Sequence, residues 1–272
     1  MEEAKLIDIE KVFASKNARM LRFIPQFLIN YLKRIVHQDE VNAIILSCKN
    51  KKDIDFAEAI INKFGAKIII RGLDNVPGQG RFVFASNHPL GGLDGIVFVH
   101  AVGIKFKNIK FPVNDILMNL TNFKNIFLPI NKHGATGKNA ALMMDEAFAS
   151  DAQMLMFPAG MVSRKNKGII KDAQWKKTFV AKAIKHHRDI IPVHISGANS
   201  PFFYNIHNIR NMLGIKLNIE MLYLPDEMFK QYDKEISITF GKPIHWDDFK
   251  DDPTQQTADK LKEITYSLAK ND

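Results

Sequence analysis

The chain has a single cysteine, Cys48, among 272 residues. No intramolecular disulfide can form, and a reducing compartment is the simplest reading. Cys48 sits in "AIILSCKN" and reads as a small buried hydrophobe. Long apolar runs are also missing: no stretch approaches the roughly 18 residues of a bilayer span. The N-terminal "MEEAKLIDIEKVFASKN" is charged and lacks the apolar region of a secretory signal. The chain is therefore expected to be soluble or peripheral, in the cytoplasm. Several catalytic signatures are absent. Without G-x-S-x-G a serine α/β-hydrolase is disfavoured. Without G-x-G-x-x-G a dinucleotide fold is too; "GQGRFV" lacks the third glycine. Without H-E-x-x-H or a cysteine cluster, no metal site is expected. "PINKHGATGK" superficially matches a phosphate-binding loop, but Lys132 falls where that pattern needs its first glycine and Asn139 where it needs Ser or Thr. Tryptophans number two, and the phenylalanines read as core rather than stacking platforms. No nucleic-acid module is found, and no nucleic-acid partner is expected.

Hydrophobic residues make up 46% and charged residues 25% of the sequence, ordinary for a protein with a full core. The net charge is +9, and residues 101–190 alone account for a net +9, the flanking segments cancelling each other. Such a field favours anionic partners: phosphates, acidic lipid surfaces or acidic carrier proteins.

Residues 1–65 read as an N-terminal helical segment and 66–272 as an α/β domain. In "RMLRFIPQFLINYLKRIV" the apolar residues Phe23, Phe27, Leu28, Tyr31, Leu32 and Ile35 form a helical stripe flanked by Arg19, Arg22, Lys33 and Arg34. Two readings stand: an interfacial helix lying on an anionic bilayer, or a helix packed on the sheet. Pro25 is placed to start or kink its second half. A helix follows in "DIDFAEAIINKF", with Gly65 past its end. Beyond Gly65, strands are expected at 67–71, 81–86, 108–111, 126–128, 153–157, 189–195, 218–222 and 235–240. Helices are expected at 94–102, 115–122, 137–149, 175–187, 201–212, 225–232 and 254–269. This alternation implies a central, mostly parallel mixed sheet flanked by helices, with ligands bound beyond the strands' carboxyl ends.

Four strand exits carry more polar chemistry than a turn needs. In "SNHPLGGLDG", His88 suits a general base, and Asp94, six positions on, can fix its tautomer. Asp94 reads equally as a helix N-cap. Gly91 and Gly92 free backbone N–H groups near a helix start, where an oxyanion would sit. In "FPAGMVSRKNKG", Pro158 and Gly160 shape a turn, and Ser163, Arg164, Lys165 and Lys167 offer donors and charge for an anion. A solvated basic loop is the alternative. Lys132 and His133, in "PINKHGATGK", can point into a site that the other turns build. The fourth exit is "DIIPVHISGANSP".

In this order the blocks resemble the glycerolipid acyltransferase family, the group that contains bacterial lysophosphatidic acid acyltransferases. The matching stretches are Asn87-His88-(five residues)-Asp94, Leu128-Pro-Ile-Asn-Lys132, Phe157-Pro-Ala-Gly-Met-Val-Ser-Arg164 and Ile190-Ile-Pro-Val193, covering residues 70–245. Compared with the family pattern, one residue is inserted between His88 and Asp94, Ala159 replaces a glutamate, Met161 a threonine, and Lys132 stands for the usual arginine. "NHPLGGLDG" with "FPAG" is closest to the hemolysin-like branch, which includes enzymes making ornithine or glycine lipids.

The resemblance implies acyl transfer from a thioester, on acyl carrier protein or coenzyme A, to the hydroxyl or amine of a polar lipid precursor. His88 and Asp94 would be catalytic. Asn87, Gly91, Gly92, Lys132, Phe157, Pro158, Gly160, Ser163 and Arg164 would bind substrate. No cofactor is required, and an anionic membrane surface is an expected partner, placing the chain on the inner membrane face. A lysophospholipid of glycerol-phosphate type is the first acceptor expected. N-acylation of glycine or ornithine is the second, and a non-catalytic lipid or carrier-protein binding module the third.

Overall fold

Residue runs that are apolar without alternation need a sheet covered on both faces. "FVFAS" is such a run, and all five of its residues are buried. The computed structural model describes residues 7–11, 25–114, 117–130, 134–252 and 254–271. Within them the strands are β1 (Lys67–Arg71), β2 (Phe82–Ser86), β3 (Ile109–Val113), β4 (Phe127–Pro129), β5 (Gln153–Met156), β6 (Arg164–Asn166), β7 (Ile169–Lys171), β8 (Asp189–Ile195) and β9 (Glu235–Phe240). Seven of them form one sheet in the order β1-β9-β8-β2-β5-β3-β4, while β6 and β7 pair as a separate antiparallel hairpin. All neighbours in the large sheet are parallel except β8 and β9. Ala85 of β2 lies opposite Pro192 of β8 and Met156 of β5. The three central strands therefore end together, and the turns that follow them share one edge of the sheet.

The helices are α1 (Gln26–Ile35), α2 (Gln38–Ser47), α3 (Asp53–Lys63), α4 (Leu93–Gly103), α5 (Gly134–Ala149), α6 (Thr178–Lys185), α7 (Pro201–Met212), α8 (Leu224–Phe229) and α9 (Thr254–Ser267). Two cores result. On one face α3 and α4 cover the sheet, with Phe56, Phe64, Val97 and Phe98 against Phe84, Ile191 and Ile238. On the other, α5, α6 and α9 bring Phe148, Phe179, Val180 and Leu261 onto Val83, Met154 and Ile190. The expected α/β architecture and mixed sheet are therefore present.

The stripe read in the first segment divides. Ile29, Leu32 and Ile35 of α1 are buried, whereas Phe27 and Leu28 are exposed. Pro25 is the N-cap, so it starts this helix rather than kinking it. Arg19, Arg22 and Phe23 lie outside the described residues.

Two expected elements are different structures. The strand at 218–222 is a 3-10 turn, Ile219–Tyr223. Glu220 is its buried residue. The helix at 115–122 is two short 3-10 turns, Leu117–Asn119 and Thr121–Phe123. There the Asn114 Oδ1 accepts from the Leu117 N–H, and Asn122 donates to the Lys51 carbonyl, side-chain bonds that compete with a helix ladder.

Candidate active site

The turn after β2 carries the imidazole. The Nδ1 of His88 lies 2.8 Å from the Oδ2 of Asp94, whose side chain is fully buried at the start of α4. Burial would raise the Asp94 carboxyl, but His88 and the N–H groups of Leu90 and Gly91 outweigh it and hold its pKa below the ordinary value. An ionised carboxylate only accepts, so Nδ1 donates in this bond, and in the neutral imidazole the lone pair is on Nε2. Among the described residues no hydrogen bond engages Nε2. Phe157 stacks on the imidazole with centroids 3.9 Å apart and planes 13° apart, holding the ring flat.

Asp94 does not cap α4 in the usual way. Its Oδ2 takes the N–H of Leu90 at 2.8 Å and of Gly91 at 3.2 Å, and its Oδ1 takes the N–H of Gly95. The Gly91 N–H is thus committed to Asp94 and is not the free donor expected from the sequence. The Gly92 N–H has no partner among the described residues. Gly91 has φ of 81°, and a Cβ there would meet Leu224 at 2.6 Å, so only glycine fits.

Asn87 is buried and faces the sheet. Its amide donates to the Ile195 carbonyl and accepts from the Ile195 N–H, extending the β2–β8 pairing by one side chain. Asp172, which sequence reasoning passed over, joins the blocks. Its Oδ1 accepts from the His88 N–H at 3.2 Å and from the Ser163 hydroxyl at 2.5 Å, and its Oδ2 from the Trp175 indole at 2.9 Å. The Ser163 N–H donates to the His88 carbonyl at 2.7 Å, and the Asp172 N–H to the Tyr266 hydroxyl. Burial, with the charge of Asp172 beside it, pushes the Tyr266 hydroxyl above its ordinary pKa. The only sequence signal for this hub was an acid inside a basic stretch, "IIKDAQWKK".

Arg164 begins β6 and is buried. Its guanidinium donates to the His207 ring, the Val162 and Ser163 carbonyls, Glu220 at 3.0 Å and the Met221 sulfur. The guanidinium is buried and turned toward these partners, so this arginine is not open to an anion as the sequence suggested. Arg210 donates to the same Glu220 at 2.8 Å. Burial would raise the Glu220 carboxyl, but the His207 bond and the charges of Arg164 and Arg210 leave it below the ordinary value.

The "FPAG" turn closes the site. Pro158 and Ala159 are buried, Gly160 is exposed with φ of 66°, and its N–H donates to the Phe157 carbonyl. A Cβ on Gly160 would lie 2.8 Å from the Nζ of Lys176. The Lys176 N–H donates to the Pro158 carbonyl, which fixes that lysine beside the turn. Lys176 has no ion pair among the described residues. Among them it is a cation without an acidic partner at the turn that follows Phe157. Lys132 and His133 lie outside the described residues.

Residues 11–271 match the acyltransferase family. Two bacterial proteins, the lyso-glycine lipid O-acyltransferases of Bacteroides thetaiotaomicron and Phocaeicola vulgatus, are 46% and 47% identical to this chain over 265 residues. The alignments cover 97% of this chain and 97% and 95% of those proteins. Among solved structures, the 1-acyl-sn-glycerophosphate (LPA) acyltransferase PlsC of Thermotoga maritima is 12% identical, with a TM-score of 0.49 over 90% of this chain and 92% of that one.

Proposed function

The chain belongs to the acyltransferase family, and from that premise we propose that it moves a fatty acyl group from a thioester to the hydroxyl of a lyso-aminolipid whose headgroup is glycine. The two relatives' acceptor supports this choice over a glycerol-phosphate lipid. It also favours O-acylation over N-acylation within the aminolipid reading. The observation that carries the proposal is the bond between His88 Nδ1 and the buried Asp94 carboxylate, which leaves Nε2 without a hydrogen bond among the described residues.

Nε2 takes the proton of the acceptor hydroxyl as that oxygen attacks the thioester carbonyl. The oxyanion forms beside the N–H of Gly92 at the start of α4. The tetrahedral intermediate collapses, the C–S bond breaks, and the imidazolium returns its proton to the departing thiolate. Asp94 steadies the imidazolium throughout. Asn87, Ser163, Arg164 and Asp172 position the turns and do not touch substrate. A glycine headgroup acylated on nitrogen keeps its carboxylate, and Lys176 is the cation for it. Lys132 is a second candidate cation. The donor is acyl carrier protein or acyl coenzyme A, met at the inner face of the membrane.

The test is a transfer assay with labelled acyl thioesters and a panel of acceptors: lyso-glycine lipid, lysophosphatidic acid, free glycine and free ornithine. Transfer to the first is expected. His88→Ala is expected to slow it by about 10²–10⁴-fold, the usual contribution of a general base. Transfer to another acceptor alone would overturn the acceptor assignment. Full activity in His88→Ala would overturn the base.

A further inference from the structure

Helix α7 is apolar on two sides. Its inner side, Phe203 and Tyr204, packs with Val162 under the site loop. Its outer side carries Phe202, Ile209, Met212 and Leu213, all exposed. Their spacing puts them on one stripe of a helix. The chain then turns at Gly214, which has φ of 67°, and exposes Ile215 and Leu217 as well. Every residue from 211 to 218 is exposed, Met212 at 78% and Leu217 at 72%. Four large apolar side chains in eight residues facing water are unusual for a chain that has two filled cores.

This projection is not a loose loop. Arg210 donates to the Ile215 carbonyl at 2.6 Å and to Glu220, which also holds Arg164 from the site loop. At the other end of α7, Ser200 caps the helix and donates its hydroxyl to the buried Glu227 at 2.7 Å. The patch continues onto α1. The Tyr31 hydroxyl bonds that of Tyr223 at 2.7 Å, and Phe202 meets the Tyr223 ring edge-on. One turn before Tyr31 on the same helix face is Phe27, 75% exposed.

The charges decide what covers it. From 201 to 223 the only acid is Glu220, buried against two arginines, and Lys216 stands exposed in the middle of the projection. Helix α1 has no acid of its own; in its last turn Lys33 is paired with Glu10, and Arg34 has no acidic partner among the described residues. An apolar wedge whose 201–223 stretch has basic residues and no exposed acid fits the headgroup region of an anionic bilayer. It also lies next to the site, since Leu224, just beyond this stretch, packs on Gly91.

We propose that the outer stripe of α7 and the following loop, residues 202–217, insert into an anionic lipid surface and dock the site mouth on the bilayer. The docking deepens the acyl-transfer reading, because the lipid acceptor would then reach His88 from the membrane.

The experiment is vesicle sedimentation with the full chain, comparing wild type with Met212→Asp/Leu217→Asp. The vesicles are phosphatidylcholine with or without 30% phosphatidylglycerol, about the charge density of an anionic leaflet. Transfer between a water-soluble short-chain thioester and a short-chain acceptor is read in parallel, and circular dichroism confirms folding. Wild type is expected to pellet with the anionic vesicles. The variant is expected to lose about tenfold or more of that binding while keeping soluble transfer unchanged. A variant that pellets like wild type, or a wild type that does not pellet, overturns the docking surface. So does a wild-type dimer that the variant converts to a monomer, which would make a second copy the occupant. Absence of soluble transfer in both proteins instead counts against the acyl-transfer reading and leaves the vesicle result to decide the surface.

Discussion

Lys176 beside Gly160 is a single side chain on which acceptor choice can turn. A free ammonium at the Gly160 turn, three residues past the Phe157 that stacks on His88, can take a carboxylate in a charge-assisted bond. Such bonds contribute about 1.5–3 kcal/mol, which corresponds to roughly 10–100-fold in affinity. Because Lys176 is exposed, the lower end applies. Lys176→Gln is therefore expected to raise the KM for a carboxylate-bearing lyso-acceptor about tenfold, with kcat within about twofold. Steady-state kinetics with that acceptor and with its neutral amide provide the check. The variant and wild type should have the same KM for the amide. An equal rise for both acceptors would show that the lysine shapes the turn and does not read the headgroup. The residue was not legible as a site residue beforehand. It follows Trp175 in what reads as a helix, and only the Lys176 N–H to Pro158 carbonyl bond swings it onto the turn.

At the scale of elements, buried charges determine which segments hold their shape. Arg188 is fully buried between α6 and β8. Its guanidinium donates to the Phe148 carbonyl at 2.8 Å, the Ala152 carbonyl at 2.7 Å and the Ser150 carbonyl, at the end of α5. Burial, with Arg81 nearby, pulls its pKa down to about 10, so it stays charged at neutral pH. Arg188→Met removes these donors and leaves carbonyls unpaired, a loss of about 3 kcal/mol. For a chain of this size the expected drop in Tm is roughly 5–10 °C by differential scanning calorimetry. A drop under about 2 °C would mean that water replaces the donors. The same physics explains what sequence pattern could and could not deliver. Lys67–Arg71, Asp189–Ile195, Glu235–Phe240 and Pro201–Met212 were read to the residue, because apolar content or a Ser-Pro start marks them. The hairpin β6–β7 has no strand pattern of its own, so its residues were legible only as an anion-binding turn or a solvated basic loop. The 218–222 strand failed because Glu220 is drawn inward by two arginines distant in sequence. The turns after β2, β5 and β8, by contrast, were legible as neighbours, because parallel strands in register end at one edge, while the Lys132 turn lies outside the described residues.

Across the whole molecule the basic excess of residues 101–190 separates into two populations. Lys182 and Lys185 are paired with Asp145 at 2.8 and 2.6 Å, and Arg188 is internal, so none of these is free for a partner. Lys165, Lys167, Lys176 and Lys177 are exposed and carry no ion pair among the described residues. They follow the "FPAG" turn in the chain, Lys165 and Lys167 on the hairpin and Lys176 and Lys177 at the entry to α6. A focused positive rim speeds encounter with an acidic donor protein and does little for a neutral small molecule. The field reaches about 20 Å in 20 mM salt and about 5–6 Å in 300 mM. With an acyl carrier protein thioester, kcat/KM is expected to fall about tenfold over that range, while a short pantetheine thioester shows little change. Lys165→Gln/Lys167→Gln should flatten the first curve and leave the second alone, because neither lysine is part of the chemistry. Parallel salt curves for the two donors would place the effect in the acceptor or in folding. They would make the rim a feature of the acidic membrane face and not of donor recognition.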